Sequence, residues 1–200
     1  MTTKKTIGAV VLATGTLAAG IALPVSAAAA APAATSAATS SVTGQALRLA
    51  SAQALQPWPV LRQGANSAWP KVTVRSLQYL LNARGAKLTV DGVFGAKTKA
   101  AVVAFQRAHH LTADGVAGAK TWGVLVVTVK LGSTGPAVRA VQDQANFRNG
   151  KSGFTLTVDG IFGQQTQLWI RAFQAVEGFK SDGVVGPLTW QALVTESLSF

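Results

Sequence analysis

The 200-residue sequence predicts an all-α fold: two small three-helix domains in tandem, behind an N-terminal leader and an Ala-rich linker. Three observations predict it. Residues 57–200 repeat themselves with a period of 68. Apolar residues inside each copy recur at helical spacing. A turn motif, D-G-[V/I]-x-G-x-x-T, stands four times in the chain, each time ahead of an apolar helical pattern.

Residues 1–27 read as a secretory signal. Lys4 and Lys5 supply a positive start, Ile7 to Leu23 an apolar run, and Pro24 breaks it ahead of the small-x-small site Val25-Ser26-Ala27. The alternative, an uncleaved anchor, would have to span a membrane with 17 modestly hydrophobic residues. Residues 28–56 are rich in Ala, Ser and Thr and read as a disordered linker.

Copy one is expected over 57–126 and copy two over 127–200. Asp91-Gly92-Val93-Phe94-Gly95 returns as Asp159-Gly160-Ile161-Phe162-Gly163, and Phe105-Gln106 as Phe173-Gln174. Asp114-Gly115-Val116 with Trp122 returns as Asp182-Gly183-Val184 with Trp190. Upstream the offset is 64, so Val74-Arg75, Gln78 and Asn82 match Val138-Arg139, Gln142 and Asn146. The unmatched residues fall between periodic segments, where loops absorb insertions.

Each Asp-Gly is a turn signal, because Gly accepts positive φ and the carboxylate bonds nearby N–H groups. The turns should feed helix N-termini, with the Val or Ile plugging the core. The alternative, a calcium loop, needs several carboxylates, and each motif has one. In copy one the first helix presents Val74, Leu77, Leu80 and Leu81 and ends at Gly85; the second, roughly 96–109, presents Ala101, Val102, Phe105 and Ala108. Its counterpart presents Trp169, Ile170, Phe173 and Val176, and Trp122 and Trp190 occupy equivalent core positions in the short last helices.

Formal charge is +11, with 18 Lys and Arg against 7 Asp and Glu. Such a balance favours anionic partners. It is unequally shared: +7 over 57–126 against +1 over 127–200. With no cysteine, disulfides and thiol chemistry are excluded.

The ordered set V-R-x-L-Q-x-L-L (74–81), D-G-x-F-G-x-x-T, A-F-Q (104–106 and 172–174) and D-G-x-x-G-x-x-T-W-x-x-L resembles the peptidoglycan-binding-like domain family, found here twice. At 138–145 the first of these is degraded to V-R-A-V-Q-D-Q-A. The resemblance implies a three-helix bacterial wall-binding module, with peptidoglycan or its anionic polymers as partner, secreted or wall-associated, with a separate wall hydrolase as a further partner. Metalloprotease prodomains share the fold but use a cysteine this chain lacks.

A catalytic machine is not expected. The only histidines, His109 and His110, are adjacent and project about 100° apart on a helix, unsuited to one metal. No G-x-S-x-G is present, and the only glutamates, Glu177 and Glu196, have no counterpart in copy one. No cofactor, metal site, nucleic-acid partner or stable membrane insertion after signal cleavage is expected. The competing readings are an unrecognised wall hydrolase or its targeting subunit, and a binder of other polyanions on a shared scaffold. Trp58, Trp69, Arg75, Tyr79 and Arg139 are the candidate ligand contacts, since Arg grips carboxylates and exposed rings stack on sugars; core or linker packing is the alternative for each Trp, and a solvated side chain for each Arg. Few residues separate the copies near 127–130, so a fixed pair is expected.

Overall fold

A computed structural model of the chain describes residues 55–64, 71–149 and 155–195. The leader, residues 28–54 of the linker, Trp69 and Glu196 lie outside the described residues. Six helices follow one another: α1 (Lys71–Ala83), α2 (Ala96–Ala108), α3 (Ala119–Leu125), α4 (Pro136–Asn149), α5 (Gln164–Val176) and α6 (Pro187–Thr195). No strand occurs among the described residues. Among the described residues, short extended segments pair in isolated antiparallel bridges: Leu61 with Ala117, at the equivalent place Val129 with Val185, and Thr134 with Ile161.

The four Asp-Gly turns share one hydrogen-bonding device. In the first, Gln78 of α1 donates from Nε2 to Asp91 Oδ1 (2.8 Å), to the Val93 carbonyl (3.1 Å) and to Thr98 Oγ1 (3.2 Å). Its Oε1 accepts from the Gly92 N–H at 2.9 Å, and Asp91 Oδ1 also accepts from the Val93 N–H. Gln106, Gln142 and Gln174 repeat this with Asp114, Asp159 and Asp182. Each Gln is buried, so an amide side chain at a core position has its hydrogen bonds met inside the protein. Gly92 has φ +74°, and a Cβ there would meet the Lys71 carbonyl oxygen at 3.0 Å, which explains why glycine holds the turn.

The core is built as the periodicity predicts on α1, where Val74, Leu77, Leu80 and Leu81 are buried. Gly85 follows the helix at φ +97°, as expected of a residue closing it. Three expectations are corrected. Val93 and Ile161 do not plug the core; they are 44% and 56% exposed. The extended backbone after Gly92 turns Val93 outward and the next residue inward, so Phe94 and Phe162 fill the core instead. Ala108 is exposed and Val176 is 52% exposed, while Gln106 and Gln174 are buried in α2 and α5. The polar Gln, not the terminal apolar residue, faces inward because the turn behind it requires the amide.

Trp122 and Trp190 are fully buried, and their indole N–H groups donate to the Pro59 and Val127 carbonyls at 2.8 and 2.7 Å. Each Trp therefore pins the segment leading into its own copy. Residues expected to connect the copies thus belong to the lead-in of copy two, with Val129 bridged to Val185 and the chain running on directly from α3.

The two copies share one continuous hydrophobic core. Their main contact is α1 against α4, the first helix of each copy. Buried in this seam, Gln144 Nε2 donates to Ser76 Oγ at 2.9 Å. Gln191 of α6 also donates to the Gln56 carbonyl ahead of copy one, at 2.9 Å. The fixed pair expected from the short connector is held chiefly by helix packing.

Candidate functional site

The structure brings three of the candidate contacts together. Arg75 and Tyr79 lie on successive turns of α1, and Arg139 stands on α4 at the position equivalent to Arg75. Arg75 is engaged across the seam, Nε and Nη2 donating to the two carboxylate oxygens of Asp143 at 2.7 and 2.9 Å. That hydrogen bond raises the Arg75 pKa above its ordinary value. Burial, with the negative Asp143, pushes the Tyr79 phenol upward, while the charges of Arg139 and Arg75 oppose this. Arg139 is exposed. Trp58 lies elsewhere, half-buried and stacked on Trp122 with ring centroids 5.7 Å apart at 13°.

The motif carboxylates are spent on their turns. Hydrogen bonds from Gln78 and the Val93 N–H hold Asp91 below the usual carboxylate range. Backbone N–H groups and the partner glutamines do the same for Asp114, Asp159 and Asp182. Among the described residues no group of three or more His, Cys, Asp or Glu side chains is placed to hold a metal ion. None of their helices is long and apolar enough to cross a membrane.

A groove of about 510 Å³ opens in copy one between α2 and the loop after α1. Ala100, Ala101, Ala104 and Ala108 form a stripe of methyl groups along it. Phe105 and His109, with ring centroids 4.3 Å apart, form an aromatic patch beside them. Arg84 and Lys87 stand on the loop side, and no acidic residue lines the groove. Arg84 is fixed there by donating to the carbonyls of Val124, Leu125 and Val126, at the C-terminal end of α3 where a cation is favoured. Sequence reasoning missed these residues, because a stripe of alanines on a helix reads as unremarkable core. The signal was in the repeat: Ala101 of copy one stands where copy two has Trp169.

Charge follows the same division. Lys97, Lys99 and Arg107 on α2 are exposed, and their equivalents on α5 are Gln165, Gln167 and Ala175. Arg171 on α5 has Val103 as its equivalent on α2, so the helix that walls the groove carries two more positive charges than its counterpart, a part of the excess on copy one.

Fold and surface together describe a duplicated helical module whose first copy is the more basic and whose two copies share one core. The sequence matches the family described as "Putative peptidoglycan binding domain" over residues 71–125 and 134–193, more than half of the chain. The chain belongs to this family, in two tandem copies. It is also similar to the "Uncharacterized protein in bpoA1 3'region" of Kitasatospora aureofaciens, 41% identical over 64 residues, or 32% of this chain and 52% of that one. A second relative is the "Zinc D-Ala-D-Ala carboxypeptidase" of Streptomyces albus G, 36% identical over 66 residues, or 33% of this chain and 26% of the enzyme. The matched stretches thus span about half and about a quarter of those relatives.

Proposed function

We propose that this chain is an exported, non-catalytic protein that holds peptidoglycan through its tandem modules. The observation that carries the reading is the twofold family match, which supports peptidoglycan binding and association with the bacterial cell wall. The apolar run behind Lys4 and Lys5 supports export. Each motif carboxylate engaged in its own turn, and two adjacent histidines, support a role without hydrolysis. The basic surface of copy one adds attraction to acidic wall components, screened as salt rises.

A second reading has one observation in its favour. The carboxypeptidase relative carries a stretch like this one, so a wall-directed hydrolase, or a subunit that brings a separate hydrolase to its substrate, is the alternative. Co-sedimentation of the purified full chain with sacculi, before and after stripping of anionic polymers, tests the binding. Retention after stripping is expected; loss on stripping would assign binding to the polymers. A zymogram containing the same sacculi tests the chemistry, and a clearing band would overturn the non-catalytic reading.

A further inference from the structure

We infer that ligand binding is confined to copy one, in the groove between α2 and the loop after α1, and that its occupant is a short wall peptide of small side chains ending in a free carboxylate. This deepens the wall-binding reading above and rests on it for the source of the peptide.

The groove selects by what it lacks. Its floor is the methyl stripe Ala100, Ala101, Ala104 and Ala108, with no side-chain donor or acceptor along it. A sugar laid there would leave hydroxyls facing methyl groups, at a cost of about 1–3 kcal/mol for each one left unpaired. Methyl-sized side chains make contact without that cost. At the loop side stand Arg84 and the exposed Lys87, with His109 on the helix, and no acid lines the groove. The Arg84 guanidinium and the Lys87 ammonium suit a terminal carboxylate.

In copy two the residues equivalent to the groove's alanines are larger. Trp169 replaces Ala101, its ring stacked on Phe173 at 5.4 Å and 7°, and its indole N–H donates to Asn149 Oδ1 at 2.8 Å. The Arg148 guanidinium lies over the other ring of that stack, 5.0 Å from the Phe173 centroid. Leu168 and Val176 enlarge the alanine positions 100 and 108, and Glu177 puts an acid where copy one has His109. An indole stands in place of the Ala101 methyl group, and the acid at 177 alters the local charge against a carboxylate.

The test is an NMR titration of the full chain with an acetylated tri-alanine peptide whose terminal pair is D-configured, in free-acid and amidated forms. Saturable shifts confined to residues 84–88 and 100–109 are expected. Amidation should weaken binding about fivefold, the scale of one exposed charge contact. Lys87→Glu, which alters an exposed side chain, should weaken it at least as much. Ala101→Trp, which copies the second repeat, should abolish it, with circular dichroism and melting checking the fold; if that variant does not fold, Lys87→Glu and the amide still decide. Equal binding of acid and amide, shifts centred on 155–180, or the same shifts produced by an N-acetylglucosamine oligomer in place of the peptide would each overturn the inference. Wild-type protein that pellets with sacculi yet shows no peptide shifts would sink the groove assignment alone. Absence of pelleting would sink the wall-binding reading, leaving the peptide titration to judge the groove.

Discussion

Arg75 of α1 and Asp143 of α4 close a two-pronged ion pair across the seam between the copies, 2.7 and 2.9 Å long. At the pseudo-symmetric position the same arginine recurs as Arg139, but Asp143 is answered by Tyr79, so one of two equivalent pairs is an ion pair and the other is not. The asymmetry orients the seam: duplicated helices that would otherwise meet as equals are distinguished by one carboxylate.

A double-mutant cycle measures that pair. Arg75→Ala and Asp143→Ala are each expected to destabilise the chain, with a coupling of about 1 kcal/mol, since the pair is bidentate but partly solvent-exposed. Urea unfolding reads it, and coupling near zero would make the pair incidental to the seam.

Because the copies share one core, they should unfold together. Phe162→Ala, a cavity in copy two, is expected to cost about 3–5 kcal/mol. Hydrogen exchange should then quicken in α1 and α2 as well as in α5. Acceleration limited to copy two would mean that the modules are energetically separate.

The glutamine hubs should rank among the costliest polar positions. Gln78→Ala removes the partner of the buried Gly92 N–H together with its bonds to Asp91, Val93 and Thr98. A loss of about 3 kcal/mol is expected, and Gln78→Glu should not rescue it because Nε2 is the donor to three acceptors. A melting temperature within a degree or two of wild type for either variant would contradict the hub.

Two buried side-chain atoms lack partners among the described residues, Thr73 Oγ1 on α1 and Gln144 Oε1 on α4. Thr73→Val and Gln144→Met remove them at nearly constant shape, and Ser76 keeps its own bond to the Val72 carbonyl. Each variant is expected to be neutral or more stable by about 1 kcal/mol in the same urea assay. A clear destabilisation would show that the Gln144–Ser76 bond outweighs the orphaned carbonyl.

The four motif aspartates make stability sensitive to acid. Their folded pKa values lie below the ordinary range, so the charged form is the one the fold prefers. That contribution is complete above the unfolded value of about 3.9 and is lost as pH falls through the lower folded values. Melting temperature should therefore stay level from neutral pH to about 5 and drop below about 4. Asp91→Asn with Asp159→Asn should flatten the drop, and an unchanged slope would remove these turns from the acid response.

Local chemistry made much of this protein legible. Helical spacing of Val74, Leu77 and Leu81, Asp-Gly turns and an exact recurrence of motifs are written over a few residues each, so α1, the turns and the duplication could be read directly. Where the sequence misled, the deciding contact was one that helical periodicity does not encode. Gln106 is buried because Asp114, Gly115 and Thr121 together satisfy its amide, and Val93 is exposed because Phe94 takes the core position. Arg75 drew notice as a cation, yet its partner sits 68 residues away.

The sequence by itself determined that there are two copies, that each is a small helical bundle and that the first carries most of the positive charge. Only the tertiary structure decided that the copies fuse along α1 and α4 into one core, and that the alanines of α2 line a groove beside the loop after α1. The reason is physical: periodicity states which side of a helix is apolar, but not which neighbour covers it, and a row of alanines becomes a floor or a packed seam only when the facing element is in place.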